Sequence, residues 1–161
     1  MITVDSNLTT KNSIHIACDH GGVELKEAIK SKFSKITFED LGTDSPHSVN
    51  YPDFAHSLCD KLIKVSSLNP EQDPSHFGIL ICGTGQGMAL TANKHSDLRA
   101  ALCWSKDSAY LARSHNNAQI LCLGARLLSE KLAHEIIHTF LSTPFEGGRH
   151  IERINNIPVQ T

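Results

Sequence analysis

The stretch FGILICGTGQGMALTANK, Phe77 to Lys94, decides how the chain folds. Its first six residues are apolar without alternation, the pattern of a strand buried on both faces. Glycines at 83, 85 and 87 then make a tight turn, and MALTANK carries helical spacing. A buried strand running through a short turn into a helix is half of a βα unit, and repeated units of that kind build a parallel sheet.

The same alternation extends in both directions. SIHIAC precedes VELKEAIKSKF, ITFEDL precedes DFAHSLCDKLIKV, RAALCW precedes KDSAYLARSH, and QILCLG precedes SEKLAHEIIHTFL. The expected fold is a three-layer, doubly wound, Rossmann-like α/β domain over residues 13–157, with five parallel strands in the order 2-1-3-4-5. Residues 1–12 are polar and read as a flexible extension, 158–161 as a tail, and Val65–His76 as a surface connection rich in turn formers. GRHIERINNI predicts a C-terminal helix with an apolar stripe at Ile151, Ile154 and Ile157, and with Arg149 and Arg153 sharing another face.

In such a sheet, ligands bind at the carboxyl ends of the strands where the strand order reverses. That rule brings together Cys18-Asp19-His20-Gly21-Gly22 and Cys82-Gly83-Thr84-Gly85-Gln86-Gly87, the two most polar strand ends. Alternate glycines let backbone N–H groups converge on an anion, or simply satisfy the sterics of a tight turn. GTGQG lacks the G-x-G-x-x-G spacing of a dinucleotide site, and no Gly-Lys-Ser/Thr follows as a phosphate loop requires. An oxyanion site with a thiol beside it remains, in which Cys82 precedes a helix N-terminus and is placed to act as thiolate nucleophile or base. A buried inert thiol is the alternative.

Composition narrows the partners. The chain has 161 residues, 40% hydrophobic and 20% charged, with a formal net charge of -2, so it suits one well-cored domain and offers no electrostatic case for nucleic acid or an acidic membrane. No apolar run approaches a membrane span, and MITVDSNLTTK lacks a secretory pattern, which leads to the expectation of a cytoplasmic protein. Five cysteines, three of them at or near the ends of apolar runs, read as reduced thiols. Asp19 and His20 could bind a ligand or cap a turn, and His115-Asn116-Asn117 could serve as a helix C-cap with a left-handed Asn. His134 and His138, four apart but without a third ligand at a telling spacing, read as surface histidines.

Taken together, ACDHGG (17–22), DLGT (40–43), YPDFA (51–55), ICGTGQGM (81–88), ANK (92–94), RAALC (99–103), HNNAQILCLGAR (115–126) and EGGRHIERI (146–154) resemble the type B ribose-5-phosphate isomerases. That family includes allose-6-phosphate and galactose-6-phosphate isomerases. The resemblance implies a metal-independent, cofactor-free aldose–ketose isomerase of the pentose phosphate pathway. Cys82 would be the general base, and Gly83, Thr84, Gly85 and Gly87 would hold the enediolate oxygen. His115 would open the sugar ring, while Asp19, Tyr51 and Asn116 would contact sugar hydroxyls. His20, Arg126, Arg149 and Arg153 would grip the phosphate, at a site formed between two subunits of a homodimer or homotetramer. One departure is Asn50, before Tyr51-Pro52, where the family often carries aspartate. The rivals to ribose 5-phosphate turnover are a six-carbon 6-phosphate substrate, a non-catalytic sugar-phosphate-binding module, and cysteine hydrolase chemistry at Cys82.

Overall fold

The computed structural model describes residues 13–159; the expected extension over 1–12 and the last two residues of the tail lie outside them. Five strands, β1 (Ser13–Cys18), β2 (Phe38–Asp40), β3 (His76–Cys82), β4 (Ala100–Leu102) and β5 (Ile120–Gly124), form one sheet. Between and after them run α1 (Val23–Lys32), α2 (Tyr51–Val65), α3 (Gln86–Ala92), α4 (Lys106–Ser114), α5 (Glu130–Ser142) and α6 (Arg149–Asn155). Every strand pairing is parallel.

Alternation across the pleat divides the core. Ile14, Ile16, Phe77, Ile79, Ile81, Leu121 and Leu123 meet α1, α4 and α5 on one face. Ala17, Leu80, Cys82, Ile120 and Cys122 meet α2 and α3 on the other. The helices answer with apolar stripes, such as Ala133, Ile136, Ile137, Phe140 and Leu141 of α5, at the spacing of one helical face.

The sheet order is β2-β1-β3-β5-β4, so the last two strands are interchanged relative to the predicted 2-1-3-4-5. Burial explains the exchange. ILCLG of β5 is buried at every position and suits an interior place, whereas AAL of β4 is short and half-buried, as an edge strand is. The chain passes beyond β5 through α3 and returns through α4. The reversal between β1 and β3 is unaffected, and it is this that places the site.

The C-terminal helix differs in detail from expectation. It buries His150 and Ile154, while Ile157 lies beyond its last turn and is exposed. Arg149 and Arg153 share the exposed face as the spacing requires. All five cysteines are free and buried.

Candidate active site

At the carboxyl edge of the sheet, β1 and β3 deliver their ends to a cavity of about 260 Å³ lined by Asp19, His20, Tyr51, Cys82, Gly83, Thr84, Gly87 and Arg126. Cys82 ends β3 and is 5% exposed. The Gly85 N–H donates to its Sγ at 3.1 Å, which fixes the sulfur against the turn. Gly85 has φ +76, a left-handed conformation that glycine adopts without a Cβ penalty. Gly87 is required for another reason: a Cβ there would stand 2.6 Å from the Tyr51 ring.

Around the cavity, backbone bonds join the strand ends. The Asp19 N–H donates to Ile81 O, and the Ala125 and Arg126 N–H groups donate to Cys82 O and Gly83 O. This brings Arg126, just past β5, over the glycine turn, where its guanidinium lies 3.2 Å from the Cβ position of Gly83. Asp19 also caps the turn His20–Gly22 by accepting from Gly21 N–H at 2.9 Å, so capping and cavity lining coexist in one residue. His20 Nδ1 accepts the Val49 N–H at 3.2 Å, which leaves Nε2 as the ring's donor. A larger cavity of about 600 Å³ adjoins, sharing His20, Gly21 and Arg126 and bounded by Pro46 and Leu128.

Beneath this edge, the loop after β2 is pinned by a buried charge. Lys26 bonds Asp40 at 2.9 Å, Asp44 at 2.6 Å and Thr43 O at 3.0 Å. Burial works against its ammonium, but the two carboxylates outweigh it and hold the Lys26 pKa above the ordinary value. Asn50 is the N-cap of α2, and its side chain makes no capping bond.

The remaining predicted residues lie elsewhere. His115 caps the end of α4, and Asn116 follows it before β5 begins, which puts both at the amino edge of the sheet. Pairing of Gly78 with Ile120 and of Cys82 with Gly124 separates that edge from Cys82 by four strand steps, about 13 Å. α6 joins His115 there: the His115 and His150 rings stack at 4.2 Å, 15° from parallel. Both Nε2 atoms face one Glu146 oxygen, at 3.8 and 3.9 Å. Burial, then the neighbouring His115, Arg149 and Arg153, lower the His150 pKa. Arg149 and Arg153 flank this group on α6.

His150 and Glu146 were not singled out from the sequence, although their place beside Arg149 in EGGRH was the available signal. With His115 they form a His-Glu-His set close enough to suggest a metal. Nearly parallel stacked rings, however, aim their in-plane lone pairs past one another, so they could not converge on one ion without rotating. A second cluster, Glu27, Asp40 and Asp44, already surrounds the Lys26 and Lys30 ammonium groups. His134 and His138 belong to neither cluster; His134 packs edge-on against Phe33 and is partly buried.

Comparison with known proteins agrees with this architecture. The family described as Ribose/Galactose Isomerase matches residues 14–157. Ribose-5-phosphate isomerase B of Escherichia coli is 36% identical over 146 residues, covering 89% of this chain and 93% of that one. The crystal structure of a ribose 5-phosphate isomerase from Thermotoga maritima superposes with TM-score 0.82 at 49% identity, covering 91% of this chain and 97% of that one. Ribose-5-phosphate isomerase B from Mycoplasma genitalium, solved with bound ribulose-5-phosphate, gives TM-score 0.80 at 41% identity over 90% and 93% of the two chains. No helix among the described residues is long and apolar enough to cross a membrane. With the family match spanning all five strands and both groups of polar residues, the chain belongs to the ribose/galactose isomerase family.

Proposed function

We propose that the protein interconverts D-ribose 5-phosphate and D-ribulose 5-phosphate through a cis-enediolate, at a site completed by a second copy of the chain. The observation that carries this reading is the Cys82 thiol set against a glycine turn in a cavity that Arg126 and His20 also line. Cys82, as thiolate, takes the proton from C2 of the open aldose and returns it to C1. The oxygen that becomes negative meets N–H groups of the 83–87 turn, and each well-placed donor of this kind contributes about 3 kcal/mol to the barrier reduction. Asp19 and Tyr51 hold sugar hydroxyls, while His20 and Arg126 bind phosphate remote from the reacting carbons.

His115, Asn116, Arg149 and Arg153 stand at the opposite edge from Cys82 of the same chain. A second copy that turns this edge toward the Cys82 cavity supplies the imidazole that moves a proton from the O1 hydroxyl to the ring oxygen. It also supplies two guanidinium groups suited to phosphate geometry. A homodimer is the smallest assembly that does this.

The test is formation of ribulose 5-phosphate from ribose 5-phosphate by the purified protein in excess chelator. Turnover supports the reading, and a folded protein without turnover overturns it. Cys82→Ala should retain the fold and lose about 10²- to 10⁴-fold in turnover, the usual contribution of a general base; near-wild-type turnover would move the base elsewhere. A six-carbon 6-phosphate substrate is the second reading, favoured by the larger cavity that opens beyond His20 and Arg126. A large preference in kcat/KM for allose 6-phosphate would select it.

A further inference from the structure

The connection from α2 to β3 carries none of the residues assigned above, yet it grips a fully buried cation. Arg113 of α4 is 1% exposed. Its Nη2 meets Asp73 Oδ1 at 2.6 Å, and its Nη1 donates to Asn117 Oδ1 and Ala118 O, both at 2.8 Å. The guanidinium lies over the rings of Phe77 and Phe140, 5.1 and 5.8 Å from their centroids. Burial lowers its pKa to about 10 against the pull of Asp73, so it stays charged near neutral pH.

The partners of this cation are the segments that carry the amino-edge half of the site. Asn117 is fully buried in a left-handed conformation, φ 45, and its Nδ2 donates to Pro70 O at 2.9 Å and Gln72 O at 2.8 Å. Arg99 fixes the same turn by donating to Asn116 O at 2.9 Å and Asn117 O at 3.1 Å. Asp73 Oδ1 accepts a second bond, from the Phe145 N–H at 3.0 Å, in the segment leading to α6. The Glu146 N–H returns to Ser114 O at 3.0 Å. One carboxylate oxygen thus joins the His115–Asn116 turn to the start of the Arg149–Arg153 helix.

We propose that Asp73 is a positioning residue: shared between Arg113 and the Phe145 N–H, its carboxylate holds the His115–Asn116 turn and the Arg149–Arg153 helix as one rigid piece. This rests on the shared-site isomerase reading. That piece is what a second copy presents to the Cys82 cavity; Glu146 also spans its two parts, but only at 3.8 and 3.9 Å from the His115 and His150 rings, whereas Asp73 bonds Arg113 at 2.6 Å and the Phe145 N–H at 3.0 Å. Asp73 is half-exposed on a surface connection and adds nothing to the apolar core. Misplacing reactive groups by about 1 Å can cost about 100-fold in rate, and a loss of that order in kcat/KM is expected for Asp73→Ala.

Subunit complementation distinguishes positioning from general weakening. Two differently tagged chains are co-expressed, and mixed dimers are purified through both tags and assayed on ribose 5-phosphate. Asp73→Ala paired with Cys82→Ala contains one site with both halves intact and should recover close to half of wild-type activity. Asp73→Ala paired with His115→Ala damages the same half of both sites and should recover none. Asp73→Asn, which keeps an acceptor for Arg113 and Phe145, should restore most of the loss, and it replaces the alanine variant in the mixing experiment if that variant fails to fold. Wild-type efficiency in Asp73→Ala, or equal recovery with both partners, would overturn the proposal. Failure of the shared-site reading shows separately, as a Cys82→Ala and His115→Ala mixture without recovery or a wild type without turnover, and either removes the proposal with it.

Discussion

Gly85 and Gly147 are both left-handed, at φ +76 and +66, but only one is crowded, and the pair therefore separates backbone strain from steric exclusion. An alanine in this conformation costs roughly 1–2 kcal/mol at either place. At Gly147 the added Cβ would meet only Ile151 Cδ1, at 3.7 Å, an ordinary contact. At Gly85 it would meet Leu102 Cδ1 at 2.6 Å and the Leu123 carbonyl carbon and oxygen at 2.8 and 3.0 Å. Leu102 can rotate, but Leu123 is backbone of β5, hydrogen-bonded between β3 and β4. Overpacking of that kind adds about 1–3 kcal/mol. Gly85→Ala should then lose roughly 2–5 kcal/mol and Gly147→Ala only about 1–2. Urea unfolding at one protein concentration measures both; in thermal melts, at about 2–4 °C per kcal/mol for a chain of this size, Gly85→Ala should fall roughly 4–20 °C. Equal losses in the two variants would refute the crowding argument, and a Gly85→Ala loss below about 1 kcal/mol would refute the strain argument as well.

Four further outcomes are expected. Burial pushes the thiols of Cys18 and Cys103 up to about 11, Cys59 to about 12 and Cys122 well above its ordinary value, while Cys82 lines the open cavity. Iodoacetamide at neutral pH should therefore modify Cys82 first in the native protein, as read by peptide mass spectrometry; a different cysteine reacting first would contradict this. Lys26→Met removes a buried ammonium whose partners remain accommodated, Asp44 in solvent and Asp40 on Lys30, and should cost about 1.5–3 kcal/mol near neutral pH, as loss of charge-assisted bonds does. Although burial opposes it, Lys30 and Lys26 depress the Asp40 pKa; the stability this contributes is present above the unfolded value of about 3.9 and is lost as pH falls through the folded one. Denaturant titrations should thus find the gap between wild type and Lys26→Met narrowing below about pH 4, and a constant gap would refute the linkage. Arg149→Ala should raise KM by about 10- to 100-fold with little change in kcat, as loss of a charge-assisted bond to phosphate predicts; unchanged KM and efficiency would remove its role.

What could be read from the sequence was local. FGILIC, QILCLG and SIHIAC announce buried strands because the pleat buries both faces of each, and the glycine turn after Cys82 follows from residues adjacent in the chain. Asn117 as a left-handed helix terminus was likewise open to reading, since its short amide tolerates that conformation. The switch-point rule then brings Asp19, His20 and Cys82 to one place, and these three line one cavity.

The tertiary structure decided what depends on pairing between distant segments. RAALCW and QILCLG look alike as apolar runs, and only hydrogen bonding on both sides of β5 makes β4 the edge. Asp73 and Arg113, 40 positions apart, carry no sequence signal of their bond. The same holds for the separation of His115 from Cys82: both sit beside strands, but a parallel sheet puts the residue before β5 and the residue ending β3 on opposite edges. Local periodicity is written by short-range backbone geometry, whereas strand order, and with it the edge of the sheet on which each residue lies, is settled by which surfaces exclude water together.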